Sequence, residues 1–100
     1  MCRFIFKKYQ VRHLGRDGLM YSDNHLTCWF EAGLPGKDNP WLIELSKGYD
    51  LVSNQPVEIN DPDLLANIKA NFEDHFGKTG ELVEFLYHGV LWDRYFESKK

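Results

Sequence analysis

The sequence predicts an α+β fold, an antiparallel sheet of about five or six strands packed on one main helix at residues 61–76. Three observations predict it. The first sixty residues are divided by turn signals into short stretches rich in aromatic and β-branched side chains, the composition of strands. One later stretch carries a full set of helix start, stripe and stop signals. With 100 residues, 43% of them hydrophobic, there is material for one modest core without disulfides or metal, so residues 1–100 read as a single domain.

The strands follow in order. Residues 3–14 alternate imperfectly: Phe4 and Phe6 share one parity, Tyr9 and Val11 the other, which predicts a bulge or a change of burial near Lys7 and Lys8. Gly15-Arg16-Asp17-Gly18 is a hairpin signal, leading to a short strand at 19–21 and a polar turn at 22–25. Residues 26–31 alternate cleanly, with Leu26, Cys28 and Phe30 on one side and Thr27, Trp29 and Glu31 on the other. Residues 32–40 hold two prolines and two glycines. That stretch exceeds the usual connection of about 4–6 residues and is a candidate functional loop or a wide hairpin end. A strand at 41–45, a turn at 47–50 and a short edge strand at 57–59 complete this half.

The helix begins with Asp61 as a cap, Pro62 at the first helical position and Asp63 at the positive end of the dipole. Leu65, Ile68, Phe72 and Phe76 recur at helical spacing. Gly77 is the expected left-handed stop. Residues 81–87 fit a strand or a second helix, with strand preferred. Residues 90–96 read as a final strand or a short terminal helix.

Composition narrows the function. No apolar run approaches the about 20 residues of a membrane span, and residues 1–10 do not read as a signal peptide. Cys2 and Cys28 read as thiols of a reducing cytoplasm rather than as a disulfide framework. Net charge is −3, distributed unevenly: residues 1–16 carry five bases and no acid, residues 17–97 all fifteen acids and five bases. A basic arm of that kind can touch phosphate, but pairing with acidic neighbours inside the domain is the preferred account. A basic protein suits the acidic remainder better than nucleic acid does.

Chemical motifs are sparse. The opening MCRF resembles the start of glutamine amidotransferases that use an amino-terminal cysteine nucleophile, but their downstream glycine- and asparagine-bearing motifs have no counterpart. His25-x-x-Cys28 has a ligand-like spacing without the third and fourth ligands a metal needs. Asp23, Glu31 or Glu44 can supply a carboxylate pair, although solvated strand faces carry such acids routinely. No cofactor motif is present. The aromatic content is more informative, because Trp29, Trp41, Trp92, Tyr21, Tyr49, Tyr87 and Tyr95 exceed what one small core readily hides, and such rings are enriched at interfaces.

From Gly18 to about Phe85 the layout resembles small immunity proteins encoded beside polymorphic bacterial toxins. The matching features are Gly18-Leu19-Met20-Tyr21 before a polar turn, the strand ending at Glu31, and the strand from Trp41 to Glu44. They continue with Pro56 to Asn60 before a helix running from Leu64 to Phe72. The resemblance implies a cytoplasmic protein, not an enzyme, that binds a cognate toxin and occludes its active site. An acidic inhibitor suits a basic nuclease-type toxin. It implies contact residues among the acids and aromatics near the turns and the long loop, namely Asp17, Tyr21, Asp23, Trp29, Glu31, Asp38 and Glu44, with no cofactor and no metal. The alternative partner is a host nuclease complex inhibited by a phage or mobile-element protein.

Overall fold

The computed structural model describes residues 9–13, 17–33 and 40–97. It shows an α+β fold with seven strands in one mixed sheet: β1 (Tyr9–His13), β2 (Gly18–Asp23), β3 (Thr27–Gly33), β4 (Trp41–Asp50), β5 (Gln55–Glu58), β6 (Val83–Tyr87) and β7 (Val90–Leu91). The long helix α1 (Pro62–Thr79) lies between β5 and β6, and a short α2 (Trp92–Glu97) ends the described chain. The order across the sheet is β1-β2-β3-β4-β6-β7, with β5 also on β4. All neighbours are antiparallel except β4 and β6, which run parallel. That one parallel pair is made by a crossover: β5 and α1 together carry the chain back to the start of β4 before β6 begins. An all-antiparallel sheet, as expected from sequence, is therefore corrected to a mixed one.

β4 organises the sheet. One edge pairs with β3 along its length; the other pairs with β6 at residues 41–44 and with β5 at residues 47–50. Between these halves the register with β3 jumps, from Phe30 opposite Gly48 to Ala32 opposite Ile43. The surplus residues form a bulge, across which the inward parity switches. Trp41, Ile43 and Leu45 are buried, and so is Ser46. The turn expected at 47–50 is thus strand. Gly48 is there for space, since a Cβ on it would lie 2.3 Å from the Cys28 Sγ and 3.2 Å from the Phe30 ring. The chain turns instead at 51–54, where the Asp50 carboxylate accepts from the N–H groups of Val52 at 2.8 Å and Ser53 at 3.2 Å.

α1 forms where its signals place it. Asp61 Oδ1 accepts from Asp63 N at 2.9 Å and Leu64 N at 3.4 Å, satisfying free N–H groups of the first turn. The helix passes through Gly77 and stops at Gly80, whose φ of 77° is left-handed. Glycine is tolerated inside a helix at a small cost. The later site closes the end better: Gly80 N donates to Gly77 O, Glu81 N to Phe76 O, and the Thr79 hydroxyl to Phe76 O. After β6, the two-residue turn at His88 (φ 53°) and Gly89 (φ 78°) has both residues in the left-handed region, the geometry that tightens a hairpin into β7. Residues 90–96 are accordingly both of the expected alternatives in succession, a strand and then a helix.

The core lies between α1 and one sheet face. Leu65, Ile68, Phe72 and Phe76 meet Leu19, Tyr21, Cys28, Phe30, Ile43, Leu45, Phe85 and Tyr87. Phe72 is central, with its ring 5.3 Å from Tyr21, 6.0 Å from Phe30, 6.4 Å from Phe76 and 6.2 Å from Phe85. Among the described residues no helix is long and apolar enough to cross a membrane. Phe72→Ala is expected to cost about 3–5 kcal/mol, a large share of the stability of a domain this size. Chemical denaturation checks it, and a loss below about 1 kcal/mol would mean the ring is not the centre of the core.

Candidate functional site

Because α1 covers only one face of the sheet, the alternation of every strand presents a second face to the outside. Register assembles a row across it: Arg12 opposite Met20, Met20 opposite Trp29, Trp29 opposite Tyr49, and Tyr49 opposite Pro56. Met20 and Trp29 are half-buried, and Tyr49 is 39% exposed. Leu42, also 39% exposed, lies on the same face farther along the sheet, opposite Gly33 on one side and Glu84 on the other. The Trp29 indole lies over the Gly18 backbone, where a Cβ would come within 2.0 Å of the ring. Only glycine permits that close approach. Gly18 faces Glu31 across the ladder, so the exposed Glu31 rises beside the indole. Asp17 is exposed next to them, its carbonyl accepting from Ala32 N at 2.8 Å.

The structure therefore brings together three of the residues implied by the resemblance: Asp17, Trp29 and Glu31. Tyr21, Asp23 and Glu44 have structural roles instead. Tyr21 is fully buried on the core face; its hydroxyl donates to Asp23 Oδ2 at 2.6 Å and accepts from Asn71 Nδ2 at 2.7 Å. Burial, then the Asp23 hydrogen bond, push its phenol well above the usual range. It is corrected from a surface contact to a core residue with a satisfied polar end. Asp23 is also structural: its Oδ1 accepts from His25 N at 2.7 Å and Leu26 N at 3.1 Å, holding the β2–β3 turn. Asp38 lies outside the described residues, as do residues 34–39 of the long loop, residues 1–8, with Cys2 and most of the basic arm, and residues 14–16.

Glu44 is on the outer face but is fully engaged. Its carboxylate accepts from Ser46 N at 2.9 Å, from the Ser46 hydroxyl, from His88 N at 3.1 Å and from Gly89 N at 2.7 Å. Partial burial works to raise its pKa, but these donors outweigh it and hold the carboxyl below the usual range. Its role is to close the β4 bulge and pin the β6–β7 turn. The proposed carboxylate pairs lose two members to such duties, Asp23 and Glu44. His25 and Cys28 likewise diverge, His25 exposed in the turn and Cys28 buried in the core. Burial and then the Asp50 charge push the Cys28 thiol up to about 11.

Sequence reasoning missed Met20 and Leu42 on the outer face, and counted Tyr49 among the surplus aromatic rings without placing it there. The signal for Met20 was present, since it shares parity with the turn rather than with Leu19 and Tyr21. Tyr49 was hidden because the bulge reverses parity within β4. No protein-family model, curated protein or solved structure matches this chain.

Two outcomes are expected. Alkylation of Cys28 near neutral pH should be roughly 100-fold slower in the folded protein than in denaturant, following the lost thiolate fraction. Peptide mapping by mass checks it, and equal rates would place the thiol at the surface. Because the Glu44 pKa is lowered on folding, its contribution is present above the unfolded carboxylate range and is lost as pH falls through the folded value. Glu44→Ala should cost about 1.5–3 kcal/mol at pH 7, with a shallower acid decline in stability than wild type. Parallel pH profiles would show that these hydrogen bonds do not discriminate the charged form.

Proposed function

We propose that this chain is a cytoplasmic inhibitor of the immunity-protein kind, which binds a basic toxin with the outer face of its sheet and occludes the toxin's active site. The observation that carries the reading is the row Met20–Trp29–Tyr49, with Leu42 farther along the same face, the one that α1 leaves uncovered. Large side chains of this type supply most of the affinity at protein interfaces. Around the row, Asp17, Glu31 and Glu84 are exposed acids, and the whole chain carries −3. An acidic rim steers a basic partner and raises its association rate while contributing less to the final affinity. The layout shared with immunity proteins between Gly18 and Phe85 agrees with that assignment.

The test is neutralisation of the protein encoded by the gene immediately upstream, co-expressed in bacteria. Wild type should restore growth. Leu42→Asp and Glu31→Lys, both at exposed positions, should keep the melting temperature. Leu42→Asp should weaken binding by about 30-fold, the equivalent of a 2 kcal/mol hot spot. Glu31→Lys should slow association, with the difference fading at high salt. Neutralisation that survives both substitutions would move the interface off this face; no neutralisation by wild type would reject the inhibitor reading.

A further inference from the structure

β6 has a strand on one side only for most of its length. Its first residues lie against β4, from Trp41 opposite Val83 to Glu44 opposite Leu86. On the other side β7 reaches only Leu86 and Tyr87, because the chain leaves the ladder at Trp92 to begin α2. Among the described residues, no strand lies on the outer side of residues 83–85. The direction of the backbone there is settled by one hydrogen bond. Trp41 N donates to Leu82 O at 2.9 Å, and in a trans peptide the N–H on the same unit points the opposite way. The Val83 N–H is thus aimed at the open edge, and that of Phe85, two residues on, faces the same way.

Natural sheets protect such edges with bulges, covering loops or lysines. Here α2 packs against β6 beyond β7 but leaves a groove beside residues 83–85. Leu82 is 69% exposed just before the edge and Val90 is 43% exposed just after it. Alongside runs a concavity of about 260 Å³ between β6, α1 and α2, with Phe85, Leu91 and Trp92 among its lining. Lys69 of α1 reaches across it, 5.4 Å from the Phe85 ring centre and 5.8 Å from that of Trp92, and is ion-paired with Glu73 at 3.2 Å. With that pair neutralised internally, the exposed charges left beside the edge among the described residues are Glu81, Glu84 and Asp93 against Arg94.

We propose that the outer edge of β6 is a strand-addition site for an extended segment of a basic partner protein, which continues the β7 ladder past residues 83–85. Main-chain bonds to Val83 and Phe85 supply the pairing, and an apolar side chain of the segment enters the concavity over Phe85 and Trp92. Basic residues on either side meet Glu81, Glu84 and Asp93. The choice of a basic occupant rests on this acid excess and agrees with the partner proposed above, while the site is a sheet edge that shares only Glu84 with the rim of the outer face.

The test uses isotopically labelled full-length protein and a capped heptapeptide alternating valine with arginine. Saturable shifts and slowed hydrogen exchange are expected at the Val83 and Phe85 amides. The same peptide with glutamate for arginine should bind at least about tenfold more weakly. Val83→Pro removes the outward N–H at the start of a strand, where proline is tolerated, at the cost of some side-chain packing against the core, and should abolish binding by the folded variant. Should that variant fold poorly, the exposed double substitution Glu84→Lys with Asp93→Lys should reverse the preference between the two peptides. Shifts centred on Met20 and Tyr49, no saturable binding, or undiminished binding by folded Val83→Pro would each overturn the proposal. So would a dimer of the free protein that Val83→Pro dissociates, since the edge would then serve a second copy of this chain. Neutralisation assays on Leu42→Asp and Glu31→Lys report on the outer face, so failure at the edge and failure of the inhibitor reading are separable.

Discussion

The architecture depends on the Glu44 carboxylate inside the β4 bulge. β4 serves two partners of opposite direction along one edge, β6 at residues 41–44 and β5 at residues 47–50, and its register with β3 on the other edge breaks between the two. The bulge provides the break, and its surplus backbone has to be satisfied because part of it is buried. Glu44 does this with donors from Ser46 and, 44 and 45 residues away in sequence, from His88 and Gly89. Ser46 O in turn accepts from Ile59 N at 2.9 Å. One side chain therefore links the middle of the sheet, the approach to α1 and the β6–β7 hairpin.

The same break decides what the outer face looks like. Before it, odd-numbered residues of β4 face the core; after it, Gly48 takes that place opposite Phe30, and Tyr49 emerges outside beside Trp29. Without the parity switch Tyr49 would face α1, and the aromatic row would end at Trp29. Close approach supports the row from below. Gly18 lets the indole lie on the backbone of β2, and Gly48 leaves room for the Cys28 sulfur. A structural irregularity on the core side and an aromatic row on the outer side thus have one cause.

Polar groups that sequence alone presents as binding residues proved to be divided between two jobs. Tyr21, Asp23 and Asn71 form a short chain of hydrogen bonds that joins β2, its turn and the middle of α1. At the far end Glu81 accepts from Trp41 Nε1 at 3.0 Å and from the Thr79 hydroxyl at 3.1 Å, joining the start of β4 to the end of α1. Tyr9 donates to Asp74 and ties the edge strand β1 to the helix. Such side chains are tied to structural partners, whereas Asp17, Glu31, Glu58 and Glu84 are exposed on or beside the outer sheet.

By itself the sequence determined the α+β class, the cap and apolar stripe of α1, and the clean alternation of β3 that separates Trp29 from Cys28 and Phe30. These are local matters: periodicity, capping chemistry and turn composition act within a few residues. Only the tertiary structure decided the parallel pairing of β6, the extension of β4 through Gly48, and the end of α1 at Gly80 rather than Gly77. It also decided which acids are structural. Each of these depends on partners remote along the chain, such as a sulfur that excludes a Cβ or an amide 45 residues away that needs an acceptor. No local pattern encodes such a partner, because the constraint exists only once the strands are side by side.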